Sequence, residues 1–147
     1  MSIPKHYVSG LSPKDKKKQI RSLRKSRKKY RSKTRSKKKY YTRPKLKSFK
    51  NKKSRWTLKF QKLHPDAKTM KQISKVTGID IRALREVKKK GMGAYYSSGS
   101  RPNQTSESWG VARMYAYIMG SPTRKVDFHI TEKYNVKFKV KPTYYSS

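Results

Sequence analysis

No cysteine occurs anywhere in the 147 residues, so disulfide frameworks, zinc ribbons and thiol catalysis are excluded. Acidic residues are scarce too: seven Asp and Glu stand against 42 Lys and Arg, for a formal net charge of +35. A chain so charged repels itself, and is compact only where charge is diluted or met by a polyanion or an acidic protein. Apolar residues make up 32%, below the roughly 45–50% of ordinary globular domains. That leaves room for one small domain and a segment that is not a domain. Long apolar runs are missing as well. The longest, Met114–Met119, has six residues, against the ~18–20 needed to span a bilayer. The N-terminal MSIPKHYVSG has no apolar signal region, so neither a transmembrane segment nor secretion is expected.

The charge that is present is unevenly spread. Residues 1–62 hold 26 Lys and Arg and one acid, Asp15, whereas residues 63–147 hold 16 Lys and Arg and six acids. The change falls near Leu63–Pro65. It divides the chain into a basic arm, 1–62, extended or partly helical, a small folded domain, 63–141, and a short tail, 142–147. The stretch RSLRKSRKKYRSKTRSKKKYY alternates Ser or Thr with cations and has almost no aliphatic residues. Such a composition buries too little apolar surface to offset chain entropy, and reads as disordered or as ordered by a partner.

Local signals add helices to this outline. Ser12-Pro13-Lys14-Asp15 combines an N-cap, a first-position proline and an acid facing the helix dipole, which predicts a helix over 13–30 with Ile20 and Leu23 as a thin apolar stripe. A second helix follows Ser54, with Trp56, Phe60 and Leu63 on one face and a stop before Pro65. Tyr40–Phe49 reads as extended. Further on, a helix is predicted over Asp66–Val76, closed by Gly78, and another from Asp80 to about Lys90, closed by Gly91. The spacing of Ile73, Gly78, Ile79, Leu84 and Val87 leaves helix-turn-helix geometry open, since any two helices joined by a tight turn need it. Asp80, at the start of the second helix, would oppose phosphate and argues against sequence-specific base reading.

Residues 91–102 read as a Gly/Ser-rich loop, in which Gly91 is a helix cap and Gly93 a turn. The pattern matches neither nucleotide-binding glycine motif. Arg101 and Glu107 are expected in a structural salt bridge or loop clamp. A helix from Thr105 or Ser106 ends at Gly120, burying Trp109, Ala112, Ala116 and Met119. The tail alternates with period two, Val126, Phe128, Ile130 and then Val136, Phe138, Val140, which predicts a β-hairpin with Asp127 and His129 facing solvent. The expected fold class is therefore α+β, mostly α: a long basic N-terminal arm, then a small helical domain with a C-terminal β-hairpin.

No catalytic set emerges. His6, His64 and His129 lie in separate segments without metal-ligand spacing. Glu107, Asp127 and Glu132 form no acid/base pair, and no serine stands in a nucleophile elbow. An enzyme, a cofactor, a bound metal or a small-molecule substrate is not expected.

One combined motif has a counterpart elsewhere. Gly91, Gly93, Ala94 and Tyr95, then Ser100, Arg101 and Pro102, then Thr105, and finally Trp109, Ala112 and Arg113 spell G-x-G-A-[FY], S-x-R-P, Thr and W-x-x-A-R. With the basic lead-in SRKKY…YYTRPKLKSFKNKKS and the downstream VDFHI, residues 12–132 resemble a domain of large DNA viruses of algae and protists, found also in tailed phages of marine cyanobacteria. The resemblance implies an origin rather than a chemistry, because no established function or catalytic residue accompanies that domain. For a small basic protein it implies a virion component, made in the host cytoplasm or nucleus.

Two functions compete. In the first, the chain is a minor capsid protein on the inner face of a large icosahedral shell. Its arm tethers major and minor capsid proteins of the same virion through Arg21, Arg24, Lys25, Arg27, Lys28, Arg31, Arg35, Arg43, Arg55 and Trp56, with aromatics interleaved for cation–π contact. In the second, the same cations make it a protamine-like, non-specific condenser of viral DNA.

Overall fold

A computed structural model of the chain describes residues 3–31 and 40–144. It contains a short 3-10 turn at Lys5–Tyr7 and seven α-helices: α1 Pro13–Arg31, α2 Arg55–Leu63, α3 Met70–Thr77, α4 Ile81–Ser97, α5 Ser106–Ile118, α6 Thr123–Val126 and α7 Phe128–Lys133. The chain divides into two compact units, one of Met1–Lys52 with Met92–Ser106, the other of Lys53–Gly91 with Glu107–Ser147. This differs from a division near residue 62. The segment read as an arm shares a unit with residues 92–106, and helix α4 contributes its first eleven residues to unit 2 and its last six to unit 1.

Unit 1 is held together by polar side chains as much as by apolar ones. Helix α1 begins where Ser12 Oγ accepts the Asp15 amide at 3.2 Å, and its buried residues are Gln19, Ser22, Leu23, Ser26 and Arg27. Their spacing of three and four defines one helix face. Gln19 Nε2 donates to the carbonyls of Tyr7 and Ser100 at 3.2 and 3.3 Å, and Ser26 Oγ donates to Tyr96 O at 3.2 Å. Leu23 is fully buried beside Gly99, where a Cβ would lie 2.7 Å from Leu23 Cδ2 and the φ of +116° is one that side-chain-bearing residues avoid. The Asn103 side chain clasps the backbone of Leu46, accepting from its N–H at 2.7 Å and donating to its C=O at 3.0 Å. Hydrogen-bonded polar burial of this kind leaves no hydropathy signal, which is why the segment reads from composition as lacking order.

Unit 2 has an ordinary apolar core: Phe60, Ile73, Ile79, Leu84, Val87, Met114, Tyr117, Ile118, Ile130 and their neighbours. Helix α2 starts at Ser54, whose Oγ accepts the Trp56 amide, and ends before Pro65. Helix α3 starts at Met70 rather than Asp66, because Thr69 and Gln72 form a reciprocal capping box. It closes at Gly78, and Gly78–Asp80 joins it to α4.

Two expectations fail in instructive ways. Gly91 and Gly93 do not end a helix; both lie inside α4. The Gly91 position is close-packed: a Cβ there would sit 2.7 Å from Gly110 Cα and 3.0 Å from Arg113 Cβ. The glycine permits helix approach, not a turn.

The α+β class and its C-terminal hairpin are likewise overturned: 59% of the described residues are helical, and no strand occurs among them. Residues 123–133 form α6 and α7. Over 126–128 the alternation is inverted, with Val126 and Phe128 68% and 55% exposed and Asp127 fully buried, while Ile130 is buried as expected. The aspartate is drawn inward by Arg113, whose guanidinium donates to its two carboxylate oxygens at 2.9 and 2.7 Å. His129 is exposed. In the second half of the alternation, Val136, Phe138 and Val140 do pack on the core, but as an irregular segment without a partner strand.

Candidate functional site

The outer side of α1 is the strongest chemical feature of unit 1. Nineteen residues of helix rise ~28 Å at ~1.5 Å each. With Gln19, Ser22, Leu23, Ser26 and Arg27 turned inward, the 3.6-residue period puts Lys14, Lys17, Lys18, Arg21, Arg24, Lys25, Lys28 and Arg31 on the opposite side. Each of these eight is exposed. From Lys14 to Arg31 the axis rises ~26 Å, so a cation recurs on average about every 3.6 Å along it. Unit 1 as a whole holds 23 Lys and Arg and a single acid. That acid, Asp15, is at the N-terminal end, where it accepts the Ser48 amide at 3.2 Å and the Ser48 hydroxyl. These bonds hold its carboxyl below the usual aspartate range, with Lys18 and Lys14 adding to the effect. A one-signed surface on a low-dielectric body focuses potential and attracts polyanions.

Not every expected contact residue faces outward. Arg27 is buried and its Nε donates to Ser98 O at 2.8 Å. Arg43 is half-buried, and its guanidinium donates to Tyr95 O at 2.7 Å, Ser100 Oγ at 2.6 Å and Ser26 Oγ at 3.3 Å while stacking 3.7 Å above the Tyr95 ring. Burial pulls its pKa down, yet a guanidinium stays charged throughout the accessible range. These two arginines build the site rather than offer themselves to a partner. Arg35 lies outside the described residues. Arg55 and Trp56 belong to unit 2, where Arg55 and Lys59 flank the Trp56 ring at 4.7 and 5.0 Å.

The motif residues are also mainly structural. Arg101 is exposed, and Pro102 is buried. Glu107 pairs at 3.2 Å with Lys88 rather than with Arg101. Trp109 is half-buried, and Arg113 forms the bidentate pair with Asp127. Sequence reasoning missed Asp127, and also Arg124, which donates to the carbonyls of Tyr117, Ile118 and Val140 at 2.7, 2.6 and 2.9 Å and closes the C-terminus of α5. Tyr30, Tyr40 and Tyr41 were expected as aromatic anchors for a partner, but their gathering with Tyr95 and Tyr96 at the far end of α1 was missed. Tyr40 lies 4.7 Å from Tyr96 and 6.4 Å from Tyr30, Tyr96 meets Tyr95 edge-on at 4.9 Å, and Lys25 and Lys29 lie 5.0 and 5.2 Å over Tyr41.

Among the described residues no group of His, Cys, Asp or Glu could hold a metal ion, and no helix is long and apolar enough to cross a membrane. What the fold and the site define is a small, strongly basic, helical two-unit protein with a cationic helix face. The family model described as "Family of unknown function (DUF5824)" matches residues 4–135, and the chain belongs to that family. No curated protein and no solved structure matches it.

Proposed function

We propose that this chain is a non-catalytic structural protein of a virion that grips nucleic acid through the outer face of α1, without sequence preference. The observation that carries the reading is the row of eight exposed cations on one helix side, in a unit with one acid. A helix already seated on its own unit presents those charges in fixed register, so little ordering entropy is spent on binding. The virion setting rests on the motif resemblance.

The test is a salt titration of duplex binding. Six phosphate contacts would give a slope of log K against log salt of about −5, and Gln at Arg21, Arg24 and Lys28 would reduce its magnitude by about 3. Equal affinity and slope in the triple variant would sink the reading.

A second reading, a minor capsid protein that docks coat subunits on the inner side of the shell, is favoured by exposed apolar residues of unit 2: Leu58, Leu63, Val126 and Phe128, each more than half exposed. Virions emptied of DNA would then retain the chain at fixed stoichiometry, whereas its loss with the genome would favour the nucleic-acid reading.

A further inference from the structure

We infer that unit 1 selects single-stranded nucleic acid, stacking unpaired bases on the tyrosines at the C-terminal end of α1 while the helix cations hold the phosphates. The inference rests on the polyanion reading of α1 and adds the class of strand.

Tyr30, in the last turn of α1, Tyr40 and Tyr96 form a triangle with ring centroids 4.7–6.4 Å apart. Tyr40 is 61% exposed, too open to serve as core, and Tyr30, Tyr41 and Tyr96 are half-buried. Beside them, buried Tyr95 meets Tyr96 edge-on and carries the Arg43 guanidinium over its own ring, so the platform stands on a fixed base. Cations flank it: Lys25 and Lys29 lie over Tyr41, and Lys28 is exposed on the same last turns of α1. The unit's acid, Asp15, is fifteen residues back along the helix, roughly 22 Å away.

Aromatic faces beside a cationic track are what a single strand needs, because every unpaired base has a π face, and stacking tolerates any sequence. In a duplex those faces are consumed by neighbouring base pairs. A duplex would therefore engage the cations alone, and a single strand both features.

The experiment is fluorescence anisotropy of the full chain with a labelled oligo-dT, an oligo-U and a mixed-sequence duplex of equal length, at one salt concentration. The wild type should bind the single strands more tightly than the duplex. Tyr40→Ala should weaken single-strand binding about tenfold and leave the duplex nearly unchanged. Tyr40→Leu, which keeps bulk without a π face, should behave like Tyr40→Ala, and Tyr40→Trp should retain wild-type affinity. Either single strand binding the tighter supports the inference and names the polymer. If Tyr40→Ala and Tyr40→Leu weaken strand and duplex equally, or neither, stacking is overturned and the polyanion reading stands. A wild type that binds neither strand nor duplex overturns both.

Discussion

Gly91 in α4 and Gly110 in α5 face each other so closely that a single added methyl would overlap backbone, its Cβ 2.7 Å from the opposing Cα. The two helices meet at a point where neither carries a side chain. One carbon at Gly91 therefore tests the packing of unit 2 directly.

Gly91→Ala should lower stability, although alanine is the better helix former by about 1 kcal/mol. Backbone and Arg113 Cβ must both shift, an overpacking cost of about 1–3 kcal/mol that outweighs the propensity gain. Gly93→Ala makes the control. Its Cβ would meet Tyr30 Oη at 3.7 Å, an ordinary contact, so that variant should be stabilised by about 0.5–1 kcal/mol. Thermal melts of the two variants should move in opposite directions.

Arg113→Ala should be more damaging than Asp127→Ala. The first leaves a carboxylate 1% exposed without its partner, whereas the second leaves a guanidinium 22% exposed that water can still reach. Breaking a buried pair from one side costs about 3–5 kcal/mol, and the Asp127 variant should fall below that range. Denaturant unfolding of both would establish the order, and the reverse order would contradict it.

Arg43→Lys should loosen unit 1 nearly as much as Arg43→Ala. One ammonium cannot reach the Tyr95 carbonyl and the Ser26 and Ser100 hydroxyls together and also stack on a ring. The loss expected is about 2–3 kcal/mol, the scale of a hydrogen bond to a charged group. Amide exchange should quicken at residues 95–100, and full rescue by lysine would count against the fork geometry.

Acid should release the segment around Ser48 from α1. The Ser48 hydroxyl and amide depress the Asp15 pKa in the folded chain. A depressed carboxylate contributes stability that is complete above its unfolded pKa, about 3.9, and is lost as pH falls through the lower folded value. Protection of the Ser48 amide should hold at neutral pH and fade below about pH 4. In Asp15→Asn it should be weak at both, and an unchanged pH profile would remove Asp15 from that role.

The sequence made helix starts legible where a single residue type, serine, does the capping: Ser12 before Pro13 and Ser54 before α2. Stops at Gly78 and Gly120 were legible for the same reason. The failures share a cause. Gly91 carries the same letter as a C-cap, and only the presence of Gly110 across the interface distinguishes a close approach from a turn. Asp127 sits in an alternation that reads as a strand, and the reason it turns inward is Arg113, fourteen residues earlier. The face of α1 was invisible to hydropathy because Gln19, Ser22, Ser26 and Arg27 are polar, although their three-and-four spacing was there to be found. Most of the cationic row was legible from composition alone. That Arg27 and Arg43 are spent on carbonyls and hydroxyls was not.

Those internal arginines have one more consequence. Arg27, Arg43 and Arg124 are anchored by peptide carbonyls, hydroxyls and rings, not by carboxylates. Ion–dipole bonds in partly desolvated places are little weakened by mobile ions, whereas contacts between exposed cations and phosphates are weakened steeply. A strong brine should thus strip the chain of any polyanion and leave its scaffold standing, so detachment and denaturation become separate, reversible operations on one molecule.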